Sequence, residues 1–200
     1  MPYPQPAFHA LTPLRATIAA WGLWAVSWFV AALWSRRTVA RPVGVGASAH
    51  YLPTLLGAAM LFAPRAGHRV WHLASPIGWI LCVATVASFA FAWWARLWLG
   101  SLWSGAVTRK TDHHVVDTGP YRLVRHPIYT GLISAGFLLA VEIGTGFALA
   151  GASILTLGWW MKARVEERFL TEELGPAYDA YRRRTAMLVP FLNARPDPRA

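Results

Sequence analysis

Long stretches without charge are the feature that most restricts how this chain folds. Residues 16–34, 43–63 and 76–95 contain no Asp, Glu, Lys or Arg, and each stretch has roughly the 20 residues that cross a bilayer as a helix. Only 14% of the 200 residues are charged, which is too few to cover the surface of a soluble globular protein. The hydrophobic fraction of 56% is too high for a disordered chain. The sequence therefore predicts an all-α integral membrane protein.

Two further spans are predicted in the second half of the chain. Residues 128–141 form a short apolar stretch, and residues 143–161 form a longer one directly after it. The glycine-rich sequence at residues 144–146 indicates that the two stretches form a helical hairpin. The total is then about five transmembrane helices. We divide the chain into residues 1–100, which carry the first three spans, and residues 101–200, which carry a polar loop, the hairpin and a cytoplasmic C-terminal helical segment.

The basic residues set the orientation in the membrane. With five spans, 16 of the 19 Lys and Arg residues fall on one side, while Arg15, Arg65 and Arg69 fall on the other. The positive-inside rule places the N-terminus outside and the C-terminus in the cytoplasm, and the Ala- and Arg-rich composition points to a bacterial inner membrane. Arg36 and Arg37 follow the first apolar stretch as a stop-transfer pattern, so we expect a retained anchor rather than a cleaved signal peptide.

Charge and cysteine content exclude several classes of protein. The net charge is +10, but the basic residues form short clusters between apolar stretches and the first acidic residue is Asp112, which favours a membrane surface over nucleic acid. The single cysteine, Cys82, excludes a disulfide framework and a cysteine zinc cluster. The histidines His113, His114 and His126 lack a further ligand at helical spacing, so we predict no metal site.

Two polar segments lie on the predicted cytoplasmic side. Residues 108–129 precede the fourth span and residues 162–181 follow the fifth, so the hairpin brings both segments to the same end. A turn is predicted at Gly119, and Pro127 is expected in the first helical turn of the fourth span, where its missing N–H costs nothing. A break is predicted at Gly175. Because the two segments meet in space, they predict a single functional site.

The two segments together resemble the isoprenylcysteine carboxyl methyltransferase family, which is itself similar to the phospholipid N-methyltransferases. The first motif is HHVVDTGPYRLVRHPIYTG at residues 113–131, and the second is EERFLTEELGPAYDAYRRRTAMLVP at residues 166–190. This resemblance implies a helical membrane enzyme that binds S-adenosylmethionine in a pocket at the cytoplasmic side. It also implies that the C-terminal helical segment completes the pocket and that the methyl acceptor is lipophilic.

The resemblance also implies roles for individual residues. The cofactor-binding positions are His113, His114, Val115, Val116, Tyr121, His126, Pro127, Ile128, Tyr129 and Glu166. The family's substrate-binding arginine falls on Lys162, and because lysine offers only a point charge where arginine offers a fork, Arg164 or Arg168 is an alternative for that role. We assign Arg125, Lys162 and Arg164 to the reaction, with Arg125 or the helix N-terminus beside it holding the cofactor's carboxylate.

Several functions remain open at this point. The resemblance favours carboxyl O-methylation of an isoprenylcysteine-like or other hydrophobic acid. Phospholipid, amine or thiol methylation is the next alternative, with His114 or His126 as the base that an amine or thiol requires. Membrane sterol reductases share an RHPxYxG-like stretch, so an NADPH-dependent reductase of related architecture is another. A non-enzymatic membrane scaffold or small transporter is the last. In each enzyme hypothesis the partners are a lipophilic acceptor and membrane lipid.

Overall fold

The fold is helical throughout the part that the structure covers. The computed structural model describes residues 11–33, 48–63, 67–100 and 115–192, and over these residues it contains two isolated β-bridges but no strand. This confirms the predicted all-α class. The described helices are α1 (Pro13–Ala32), α2 (Tyr51–Leu61), α3 (Ser75–Leu99), α4 (Pro120–Leu123), α5 (Pro127–Ile143), α6 (Gly146–Leu174) and α7 (Pro176–Arg184).

Two of the described helices, α1 and α3, are both long and apolar enough to cross a bilayer. Helices α2 and α5 are apolar but shorter. The predicted second span begins at residues 43–47, which lie outside the described residues, and α2 accounts for its remainder. The fifth predicted span forms the first part of α6, which continues to Leu174 as one unbroken helix. The number of five spans therefore stays a prediction.

The predicted hairpin between α5 and α6 is confirmed. Gly144 ends α5 in the left-handed conformation, with φ of 76°, and the side chain of Thr145 accepts a hydrogen bond from the Ala148 N–H to begin α6. The indole of Trp71 donates to the carbonyl of Val141 at 2.9 Å, so one of the last carbonyls of α5 is bonded from outside the helix. The turn is thus held by the Thr145 cap at the start of α6 and by the hydrogen bond from Trp71 at the end of α5.

Helices α1 and α3 run parallel. Pro13 at the start of α1 contacts Gly78 near the start of α3. At the opposite end the Arg96 guanidinium donates to the carbonyls of Ala31 at 3.0 Å and Gly100 at 3.1 Å. Because the carbonyl end of a helix carries partial negative charge, the buried cation stabilises the ends of both helices.

Helices α2 and α6 approach so closely that their backbones touch. A Cβ placed on Gly57 would lie 2.2 Å from the backbone nitrogen of Leu155, and one on Gly158 would lie 2.7 Å from that of Thr54. Residue numbers rise along α2 as they fall along α6, so the two helices are antiparallel. Such small-residue contacts are typical of helix packing in membranes, where dispersion rather than hydrophobic burial holds helices together.

Helix α5 is antiparallel to α3, which completes an alternating arrangement. Gly131 near the start of α5 contacts Ser88 of α3, whereas Glu142 at its end lies beside Gly78. It follows that α1, α3 and α6 run in one direction and α2 and α5 in the other, as consecutive spans of a bundle must. The start of α5 and the end of α6 therefore lie at the same end of the molecule.

We expect Gly57→Ala to lower the stability of the bundle. The added methyl has no room against the backbone of Leu155, so the helices must separate, and overpacking of this kind costs about 1–3 kcal/mol. Thermal unfolding in detergent measures the effect. The control is Gly22→Ala on α1, where no atom lies within 4 Å of the new methyl. Equal melting temperatures for the two variants would contradict the α2–α6 contact.

Candidate functional site

The RHP loop, which we define as residues 125–127, is held between α4 and α5. Gly119 has a positive φ of 57°, and a Cβ there would lie 2.5 Å from the ring of Trp98, so glycine is required by both backbone and space. The short helix α4 follows, and Pro127 then begins α5. The predicted turn at Gly119 and the predicted place of Pro127 are both confirmed.

A C-terminal segment, residues 185–188, runs alongside the RHP loop, a pairing that the sequence did not predict. The backbone N–H of Arg125 donates to the carbonyl of Ala186 at 2.8 Å, and that of His126 donates to the carbonyl of Met187 at 3.1 Å. The hydroxyl of Thr130 donates to the carbonyl of Leu188 at 2.7 Å. These bonds join the loop to chain that lies about 60 residues further on.

Helix α7 is held against the same loop by a buried tyrosine. The Tyr181 hydroxyl donates to the carbonyl of Tyr121 at 2.6 Å, and both side chains are buried. Burial raises the pKa of the Tyr181 phenol, which keeps the hydroxyl protonated as a donor. The predicted break at Gly175 is confirmed and lets α7 fold back toward the loop.

Glu166 faces the start of α5 from the C-terminal part of α6. It accepts a hydrogen bond from the Tyr129 hydroxyl at 2.5 Å, and its carboxylate lies 3.4 Å from Nδ1 of His126. Lys162, one turn earlier, places its ammonium 5.5 Å from the centre of the Tyr129 ring. The Glu166 side chain is 19% exposed, so part of its carboxylate is open to a ligand.

Glu167 is more deeply enclosed than its neighbour, with a side chain 5% exposed. Its Oε1 accepts a hydrogen bond from Arg125 Nε at 2.5 Å and lies 3.4 Å from His126 Nε2. Its Oε2 lies 3.9 Å from Arg182 Nε of α7. We call Arg125, His126, Glu166 and Glu167 the charged cluster. Sequence reasoning placed three of these four in the site and missed Glu167.

The charged groups of the cluster stabilise one another's ionised forms. Burial favours the neutral form of Glu167, but the hydrogen bonds and charges of His126 and Arg125 outweigh it and lower the carboxyl pKa to about 2. Burial is likewise outweighed at Glu166, chiefly by the bond from His126, and its pKa is lowered. For His126, burial acts to lower the pKa, whereas the two carboxylates raise it above the ordinary value. The two carboxylates therefore favour the charged form of the imidazole that lies between them.

Aromatic rings border the charged cluster. The rings of His126 and Tyr129 are stacked, with centroids 5.7 Å apart and an interplanar angle of 15°. Tyr121 is buried beside them and places its hydroxyl 3.5 Å from the carbonyl of Ala95. Cations are attracted to such ring faces, and flat heterocycles stack on them.

The other residues predicted for the site fall in different places. His113 and His114 lie outside the described residues, while Val115 and Val116, which follow them, are half-buried. Arg164 is exposed, with its guanidinium 5.8 Å from the centre of the Trp160 ring. The remaining predicted positions form the first turn of α5, where Pro127 is buried and Ile128 packs against the core.

The charged cluster lies inside a segment with known relatives. Residues 79–172, a little under half of the chain, match the model of the isoprenylcysteine carboxyl methyltransferase family. Through that segment the chain is similar to this family. The match confirms the resemblance drawn from the motifs, and it contains the RHP loop and both glutamates, whereas α7 and residues 185–188 lie beyond it.

Individual relatives cover different shares of the chain. The methanethiol S-methyltransferase of Pseudomonas sp. (strain GM41(2012)) is 37% identical over 76 residues, which is 36% of this chain and 27% of that protein. Methanethiol S-methyltransferase 2 of Bradyrhizobium diazoefficiens is 40% identical over 78 residues, 38% of this chain and 28% of that protein. The nickel-cobalt-cadmium resistance protein NccN of Alcaligenes xylosoxydans xylosoxydans is 29% identical over 143 residues, 67% of this chain and 61% of that protein. The chain thus spans about a quarter of the methanethiol S-methyltransferases it matches.

We expect Tyr181→Phe to weaken the attachment of α7. The substitution leaves the buried carbonyl of Tyr121 without its donor, and an unsatisfied buried acceptor costs about 1–3 kcal/mol. Unfolding in detergent measures the loss. Tyr51→Phe, which removes a hydroxyl from a side chain that is more than half exposed, is the control. If Tyr181→Phe is no less stable than Tyr51→Phe, α7 is not held in this way.

Proposed function

We propose that this chain is an S-adenosylmethionine-dependent methyltransferase whose site is built on the charged cluster. The family whose model matches residues 79–172 consists of methyltransferases by name, and the cluster lies at the meeting point of that family's motifs. The observation that carries the proposal is the contact between the RHP loop and the end of α6, where Tyr129 and His126 bond Glu166.

The residues present fit the cofactor. It has an amino-acid end, an adenine and a sulfonium cation, and when bound it supplies an activated methyl group. The open part of the Glu166 carboxylate suits the amino group, and Lys162 is placed to attract the carboxylate of the same end. Tyr129, which is only half-buried and bonds Glu166, is the aromatic ring placed to contact the adenine. Val115 and Val116, with His113 and His114, remain proposed contacts.

The structure favours a thiol acceptor over a carboxylate. Arg125 is neutralised by Glu167 and also donates to the carbonyls of Arg182 and Thr185, so its guanidinium is not placed to fork a carboxylate. Lys162 faces Glu166 and offers only a point charge. Two of the relatives are named methanethiol S-methyltransferases. We therefore propose a small or lipophilic thiol first and a hydrophobic acid, such as an isoprenylcysteine, second.

The chemistry places few demands on the protein. A thiolate is a strong nucleophile, and methyl transfer to it is an in-line displacement that depends on positioning and exclusion of water. The two carboxylates beside His126 raise its pKa and favour its charged form, which makes it a weaker candidate for the base. We propose instead that the thiol gives up its proton to solvent before the transfer.

The proposed setting is a bacterial inner membrane with the site at the cytoplasmic end. Because α1, α3 and α6 run in one direction, their ends gather Arg96, the charged cluster and the basic turn of α7 at one end of the bundle. The positive-inside rule makes that end cytoplasmic. A lipophilic acceptor and the surrounding lipid then reach the site from the same leaflet.

We expect Glu166→Gln to weaken binding of S-adenosylmethionine at least about tenfold, because the carboxylate that pairs with the amino group is lost. Calorimetric titration in detergent measures the dissociation constant. Glu172→Gln, an exposed position on the same helix, is the control and should bind like the unaltered protein. Binding of NADPH but not of S-adenosylmethionine by the unaltered protein would instead support the reductase hypothesis.

We expect methyl-labelled cofactor to label an alkyl thiol at least about tenfold faster than the alkyl carboxylate of the same length, because the Arg125 guanidinium is already paired with Glu167 and does not hold the acid. An N-acetyl-S-prenylcysteine tests the isoprenylcysteine alternative in the same assay. Faster labelling of either acid would reverse the order of the two acceptors while leaving the methyltransferase proposal intact.

A further inference from the structure

We propose that Glu167 is a positioning residue that presets the site, and that its neighbour Glu166 alone is the ligand-facing carboxylate. This inference rests on the proposed function. Successive residues on a helix point about 100° apart, so the two adjacent carboxylates approach His126 from different directions. The Glu166 side chain is 19% exposed, whereas that of Glu167 is 5% exposed and lies among cations.

Glu167 joins three separate parts of the chain. Its carboxylate, on α6, bonds Arg125 of the RHP loop at 2.5 Å and lies 3.9 Å from Arg182 of α7. Arg125 in turn donates to the carbonyls of Arg182 and Thr185, so the loop, α6 and α7 share one set of charged hydrogen bonds. Removing the charge of Glu167 leaves the largely buried Arg125 guanidinium without its carboxylate partner.

Glu167 also determines how His126 meets Glu166. The imidazole lies between the two glutamates, 3.4 Å from each, with Nε2 toward Glu167 and Nδ1 toward Glu166. A carboxylate on one side of a histidine fixes its orientation and favours its charged form, as the outer partner of a metal-bound histidine does. The ring that reaches Glu166 is therefore set by a residue that itself lies away from the open part of the site.

The charged and titratable groups facing His126 define its response to pH. They are Glu166 and Glu167 of α6, Tyr129 of α5, Arg125 of the loop, and Lys162 and Arg182 close by. The two carboxylates raise the pKa of the imidazole, so the ring stays charged below that raised value and loses its proton as the pH rises through it. Without the charge of Glu167, we expect this loss at a lower pH.

The test compares Glu167→Gln with Glu167→Asp and with the control Glu172→Gln. Histidine nitrogen NMR of the protein without ligand follows the titration of His126, and calorimetry gives the affinity for S-adenosylmethionine across the same pH range. In Glu167→Gln we expect the His126 titration to fall by about one pH unit or more and the affinity to fall at least about tenfold. Because the charged form of His126 holds Glu166, the affinity for S-adenosylmethionine should fall as the pH rises through the pKa of His126. In Glu167→Gln this fall should occur at a lower pH.

Glu167→Asp separates charge from position. It keeps the negative charge but is one methylene shorter, so His126 should still titrate near the unaltered value while the affinity falls at least about tenfold. If the Gln variant does not fold, this variant decides the matter. Unaltered affinity in either variant contradicts a positioning role, as does an unaltered His126 titration in Glu167→Gln. A failure of the unaltered protein to bind the cofactor overturns the proposed function instead, because the His126 titration is read without ligand.

Discussion

The ion pair between Arg125 and Glu167 is the interaction on which the arrangement of the site depends. The two side chains are 10% and 5% exposed, so forming the pair removes two charges from water at a cost of several kcal/mol per ion. Such a pair is tolerated only when its remaining hydrogen-bonding groups are satisfied. Here two backbone carbonyls accept from the guanidinium, and a histidine lies beside the carboxylate. The compensation comes from three segments, so the pair forms only when all three are in place.

The rest of the fold brings the RHP loop, α6 and α7 together. The tight turn at Gly144 makes α5 and α6 antiparallel, which brings the start of one beside the end of the other. The break at Gly175 turns α7 back, and Tyr181 fastens it to α4. Residues 185–188 then add their carbonyls along the RHP loop. Of the two adjacent glutamates, Glu166 has the more exposed side chain, and it lies next to aromatic rings.

Much of this arrangement follows from sequence. Uncharged stretches and glycine and proline positions located most of the described helices, the hairpin and the first residue of α5. The meeting of the two polar segments followed from the hairpin alone. His126, Tyr129 and Glu166 were placed together by a family resemblance, and the structure brings their side chains into contact. Local signals and topology are therefore enough to find the neighbourhood of the site.

Three features could not be predicted from the sequence, and each has a physical reason. Residues 185–188 pair through backbone groups, which every residue possesses, so the pairing has no side-chain signature. The different exposure of Glu166 and Glu167 depends on the rotation of α6 about its axis, which packing sets. Arg164 lies one turn from the cluster in sequence but faces Trp160 for the same reason. Tertiary packing decides which of several charged neighbours enters a site.

A double-mutant cycle between Arg125 and Glu167 tests the account most directly. The free energy of unfolding in detergent is measured for the unaltered protein, Arg125→Gln, Glu167→Gln and the double variant. A buried pair that holds three segments together predicts a coupling energy of about 1–3 kcal/mol, with the double variant less destabilised than the sum of the single ones. Effects that add to within about 0.5 kcal/mol would show that the two charges do not interact, and the account would be contradicted.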